Sequence, residues 1–302
     1  MILGRVLRRV LPKGAYQQAV GVYSALLWRR RLTRQYREEV RRCVESGSTP
    51  VFVYQMAKVG SSTVTWALRE IEGLHVFQVH LLHPDNLRRL NARLRRRGRW
   101  IARLQSDMDA RGRVLYGGLI EPGKRAKVIT LVREPLGRNC SFYFQNLDIL
   151  WGVADAHENV EMSRLVGECL ERFDHRRCLS WFDEEFKPVL GVDVYAHPFP
   201  HDAGHVRIDA GRYDILVMRS DLEDSLKKEC LEKFLGVEGL SLAPKNVGSQ
   251  KPYAKAYRKF LDALELPKEH VDEMLGSKYA RHFFAPEELA EIRAKWLREE
   301  TR

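Results

Sequence analysis

The chain has 302 residues, 44% of them hydrophobic and 10% aromatic, enough for a packed core and unlike a disordered or low-complexity chain. An excess of Lys and Arg, 51 against 40 Asp and Glu, leaves a formal charge of +11 and favours an anionic partner. Five scattered cysteines without a CxxC pair exclude a disulfide framework and a zinc ribbon, and fit a reducing, cytoplasmic compartment.

Residues 1–49 read as a basic helical arm, in which LWRRRLTRQYREEVRRCVESG is a helix ending near Gly47. Ala15 to Trp28 is mostly apolar, but it contains Gln17 and Gln18 and is too short to span a bilayer. Two readings stay open for the arm. It is a solvated helix packed on the rest of the protein, or a basic amphipathic segment in peripheral contact with the inner membrane.

From Pro50, strands and helices alternate. Candidate strands are Val51–Tyr54, His75–Val79, Val128–Val132 and Ile215–Met218. Helical patterns follow at Thr63–Glu72, Pro84–Arg97, Leu136–Leu150 and Leu222–Phe234. Asn159–Phe186 and Tyr253–Arg298 also read as helical, the latter broken by Pro267 and Pro286. This alternation predicts an α/β domain over residues 50–302, with a mainly parallel sheet between helices.

Two strand-to-helix junctions carry chemistry. The first, YQMAKVGSSTV at residues 54–64, passes from a β-rich run through Lys58, Val59 and Gly60 into Ser61, Ser62 and Thr63. A helix start presents unpaired N–H groups and partial positive charge, so it suits a phosphate. A glycine lets the backbone approach, hydroxyls add donors, and a lysine adds a full charge. The lysine precedes the glycine, so this is not a Walker A loop. The second junction, KVITLVREPLGRNCSFY at residues 127–143, puts Arg133 at a strand tip and Ser141 eight residues later on a helix. A guanidinium and a hydroxyl so placed can converge on a second phosphate.

With both junctions in hand, the chain resembles the sulfotransferase superfamily, which transfers a sulfuryl group from 3′-phosphoadenosine 5′-phosphosulfate (PAPS). KVGSST looks like its 5′-phosphosulfate loop and REPLGRNCSFY like its 3′-phosphate element. YDILVMRSDLEDSLKKECLEKFLG, at residues 213–236, resembles a further segment. NVGSQKPYAKAYRKF and LGSKYARHFFAPEELAEIRAKW resemble a bacterial, sulfotransferase-like family of capsular polysaccharide synthesis proteins. The resemblance covers about residues 50–298. It implies a P-loop-type three-layer fold and a sulfotransferase that moves a sulfuryl group from PAPS to a hydroxyl of a carbohydrate acceptor, which its basic surface would suit if anionic.

By the same resemblance, Lys58 assists the leaving oxygen, Val59 to Thr63 hold the 5′-phosphate, and Arg133 with Ser141 holds the 3′-phosphate. Lys251, with Asn246 and Tyr253, belongs to a late loop over the nucleotide. Trp66 stands three residues beyond Thr63, so it is not assigned to adenine stacking. His80, just past the second strand, is the first candidate for general base; His83, Glu121 and Glu134 are alternatives. Neither a metal nor a nucleic-acid partner is expected. The run RRLNARLRRRGRW, residues 88–100, holds seven arginines and reads either as a solvated helix face or as a guide for a polyanion. A nucleotide-dependent kinase and a non-catalytic scaffold of polysaccharide assembly are the alternatives to the transferase.

Overall fold

The computed structural model describes residues 13–95, 101–242 and 253–299, with side chains throughout except those of 13–26, 93–95 and 101–106. Lys251 and Asn246 lie outside the described residues, as does part of the 88–100 arginine run. Contacts gather the chain into two compact units, residues 1–46 with 81–123, and residues 47–80 with 124–302.

In the first unit, helix α1 (Lys13–Glu45) packs along α2 (Ile101–Leu115). Leu32, Tyr36, Val40 and Cys43 recur at helical spacing and are buried; Leu32 and Tyr36 cluster with Ala110 and Val114. A polar lock sits beside this seam. The buried Asp109 carboxylate accepts from Arg29 Nη2 at 2.5 Å, Asn91 Nδ2 at 2.6 Å and Arg113 Nε at 2.7 Å. A buried carboxylate needs such partners, because desolvation would otherwise outweigh its contribution. α2 has no counterpart among the sequence expectations: its charged residues sit on the seam and blur the apolar period.

The second unit holds a five-stranded mixed sheet of β1 (Val51–Tyr54), β2 (Val76–Val79), β3 (Ala126–Val132), β4 (His205–Ala210) and β5 (Tyr213–Arg219). Their order is β2-β1-β3-β5-β4, parallel except for the antiparallel β4–β5 pair. β1 is buried at every position and β3 and β5 at nearly all, as expected of strands covered on both faces. The four anticipated strands are all present; β4 is additional. It lies at the sheet edge, alternates polar with apolar residues, and joins β5 through a turn at Gly211.

The helix anticipated over Asn159–Phe186 is broken into α-helix Met162–Glu171 and short turns of other helix types at His175–Cys178 and Phe182–Phe186. Where the helix stops, the Phe173 ring meets Tyr143 and His175 edge-on. The C-terminal region is helical, in four pieces between Ala254 and Leu297.

Candidate functional site

β1 leads on to β2 on one side of the sheet, while β3 leads on to β5 on the other. The carboxyl ends of β1 and β3 therefore flank the point where the chain's winding reverses, the place where open α/β sheets leave a crevice for ligands. Both junctions singled out from sequence open here.

The first junction curls sharply. Lys58 has φ +75° and Gly60 φ +80°, conformations that cost a residue with a Cβ. Gly60 is exposed, and a Cβ added there would meet nothing closer than Ser220 Cβ at 3.9 Å. Its conformation, not crowding, calls for glycine. The helix that follows, α3 (Ser61–Arg69), has no side-chain cap at its start. Lys58 Nζ donates to Gln145 Oε1 at 2.5 Å. Ser62 and Thr63 are half-buried. Ser61 is buried, and its hydroxyl accepts from Gln78 Nε2 of β2 at 3.0 Å. Val59 is wholly buried and anchors the loop.

The second junction leans on the first. Arg133 Nη1 donates to the Lys58 carbonyl at 3.2 Å, and Arg138 Nε donates to the Ala57 carbonyl at 3.0 Å. Arg138 is almost buried, packs over the Phe142 ring at 4.6 Å, and donates from Nη1 to Asn139 Oδ1 at 2.9 Å. Glu134 caps the helix α4 (Pro135–Gln145): its two carboxylate oxygens accept from Gly137 N–H at 2.7 and 2.9 Å. Burial raises the Glu134 carboxyl above its usual range, opposed by that N–H and by Arg133. The Ser141 hydroxyl bonds the Tyr257 side chain, whose phenol burial pushes up to about 12. Tyr279 holds the Arg133 peptide from both ends, accepting from its N–H at 3.2 Å and donating to its carbonyl at 2.9 Å.

His80 lies past β2. Its Nδ1 is 2.8 Å from the Gln55 carbonyl, and its own carbonyl accepts from the Trp181 indole at 3.2 Å. A carbonyl can only accept, so Nδ1 carries the proton and the neutral ring keeps its lone pair on Nε2. The Gln55 amide is wholly buried beneath the loop and finds no partner among the described residues, leaving unused donor and acceptor capacity at the site.

The structure thus brings Lys58, Gly60, Arg133 and the start of α3 together, with Ser141 on the next helix and His80 at the neighbouring strand end. His83 and Glu121 belong to the other unit; Glu121 is exposed there, and the His83 carbonyl accepts from Leu87 N–H. Trp66 is exposed on α3. Sequence reading passed over Arg138, Gln145, Tyr257 and Tyr279. Arg138 lies inside the REPLGRNCSFY element, and Tyr257 and Tyr279 inside the two C-terminal segments quoted above, but the contacts of Gln145 and Tyr279 reach across 87 residues or more of chain.

Chemically, one ammonium, two guanidinium groups and an uncapped helix start suit a ligand with more than one anionic group. Comparison with known proteins bears on the rest of this unit. No curated protein and no solved structure matches the chain. Residues 158–285 match the family described as putative capsular polysaccharide synthesis protein, a stretch that takes in β4, β5 and Tyr279 and begins beyond both strand-to-helix junctions, in keeping with a part in polysaccharide biosynthesis.

Proposed function

We propose that the protein is a PAPS-dependent sulfotransferase, passing a sulfuryl group to a hydroxyl of a carbohydrate acceptor in capsular or surface polysaccharide biosynthesis. One observation carries the reading: the 3.2 Å bond from Arg133 Nη1 to the Lys58 carbonyl, which ties a 5′-phosphate loop to a 3′-phosphate element at the sheet's switch point. The fold is then of the P-loop type. The family match over residues 158–285 supports the polysaccharide part of the proposal. The free, buried cysteines fit a cytoplasmic setting.

The residues present fit PAPS. The main chain at Gly60 to Thr63 would take the 5′-phosphate, since α3 begins uncapped and Gly60 offers no side chain to block approach. Arg133 spends one of its five N–H donors on the Lys58 carbonyl, and the others remain for the 3′-phosphate. Ser141 would add its hydroxyl. When bound, PAPS supplies an activated sulfuryl group on a phosphate leaving group; the transition state is loose and needs placement and charge more than covalent help.

Lys58 donates to a neutral amide, Gln145, at the mouth of the loop, and with PAPS in place its ammonium would stabilise charge on the bridging oxygen. His80, with Nδ1–H fixed on the Gln55 carbonyl, would accept the acceptor's hydroxyl proton at Nε2.

Calorimetric titration tests the reading. Adenosine 3′,5′-bisphosphate should bind roughly 10- to 100-fold tighter than 5′-AMP, the value of a charge-assisted contact to the extra phosphate. Arg133→Ala should erase most of that margin. ATP binding as tight as the bisphosphate, or no nucleotide binding, would reject it in favour of a kinase or a scaffold.

A further inference from the structure

The first unit carries a surface that the transferase reading does not use. α1 turns Leu32, Tyr36, Val40 and Cys43 inward, so its apolar stripe is already spent on packing. Another stripe runs along the same helix: Leu27, Arg30, Arg34, Arg37, Arg41 and Val44, spaced alternately by three and four residues. That spacing keeps all six within one narrow sector, well round the helix from the buried stripe. All six are exposed; Leu27 is 46% and Val44 42% accessible.

The stripe is a cationic row with an apolar residue at each end, about 25 Å long at 1.5 Å per residue. Arg41 is already neutralised by Glu38 and Glu45, its partners at three and four residues. Arg29, beside the row, is committed to Asp109. Arg30, Arg34 and Arg37 have no ion-pair partner among the described residues, and together they line a shallow open depression. Arginines at this density cannot sit in a bilayer core, so the helix lies on a surface here and does not cross. The sequence leading into the row, Ala15 to Trp28, is mostly apolar despite Gln17 and Gln18, with Tyr16, Tyr23 and Trp28 among its residues. Aromatic and apolar residues leading into arginines on one helix are the chemistry of a headgroup interface.

We infer that the Leu27–Val44 stripe of α1 docks the protein on an anionic lipid bilayer, with Arg30, Arg34 and Arg37 among the headgroups. The adsorption is electrostatic, with the helix remaining packed on α2. Each arginine near such a surface multiplies partitioning about fivefold, so the three together account for roughly a hundredfold.

The test is co-sedimentation of the full chain with vesicles of phosphatidylcholine containing phosphatidylglycerol, and with phosphatidylcholine alone. Wild type should bind only the anionic vesicles, with binding that fades as salt rises. Replacing Arg30, Arg34 and Arg37 with Gln should lower partitioning about a hundredfold. The matching Lys triple should stay within a few-fold of wild type; unchanged circular dichroism and melting temperature certify both folds. Equal binding to neutral vesicles, a Gln triple that binds like wild type, or wild type that binds neither vesicle each overturns the inference. Dextran sulfate is the counter-probe: if it binds strongly where anionic vesicles do not, the stripe belongs to a soluble polyanionic chain instead.

Discussion

The two strand-to-helix junctions at the end of the sheet differ in how they treat the helix they start. After β1, α3 begins at an exposed, left-handed glycine and no side chain caps it. After β3, α4 begins at Pro135 and is capped by the chain's own Glu134. A capped helix start has already met its anion. On the proposed reading, the first junction would receive a phosphate on its main chain. The second would do so through side chains, Arg133 and Ser141. The glycines repeat the contrast: Gly60 serves conformation, whereas a Cβ on Gly137 would fall 2.1 Å from Glu134 Oε1 and 3.2 Å from Arg133 Nη2.

The contrast can be broken at several points. The largest effect is expected at Lys58. Lys58→Ala should cut release of adenosine 3′,5′-bisphosphate from PAPS by about 100- to 1000-fold in single-turnover assays, as for loss of one charge-stabilising donor. Its nucleotide affinity should change far less.

Gly60→Ala comes next. A Cβ at φ +80° should cost about 1–2 kcal/mol in urea unfolding, and weaken 5′-AMP and the bisphosphate alike, because both share the 5′-phosphate. Gly137→Ala should behave differently. Loss of the Glu134 cap, about 1 kcal/mol, is offset by the gain from Gly to Ala inside a helix, also about 1 kcal/mol, so stability should barely move. Arg133 is nevertheless displaced, so only the preference for the 3′-phosphate should shrink. Matching losses for the two ligands in both variants would erase the distinction between the junctions.

The smallest effect concerns pH. Asn139, beside Arg138 on α4, donates to the His175 carbonyl at 2.8 Å, and the His175 ring meets His270 at 4.4 Å. Burial holds both imidazoles below their ordinary value of 6.5. The unfolded chain therefore takes up protons first, and stability contributed by the neutral rings is lost as pH falls below about 6.5. His270→Phe should reduce the drop in urea midpoint between pH 7.5 and pH 5.5. A drop as large as wild type's would remove this pair from the acid response.

Much of the second unit was legible because β1, β3 and β5 are continuous apolar runs, each followed by a clear break. β4 was not, since HVRIDA at an edge needs no apolar run and its alternation is short. Lys58, Gly60 and Arg133 were readable from local spacing. That Ser61 turns its hydroxyl toward Gln78 was not, because the partner sits on another strand. The Lys58–Gln145 and Arg133–Tyr279 contacts depend on how distant helices return to the sheet, and no local pattern encodes that.

Tyr279 clasps both sides of the Arg133 peptide from 146 residues downstream. A nascent chain can complete β1, β3 and both loops and still lack the phenol that sets Arg133 in place. Competence to select a doubly phosphorylated nucleotide would then arrive only after residue 279 has been synthesised. A half-made chain would have no grip on a donor it could not yet use.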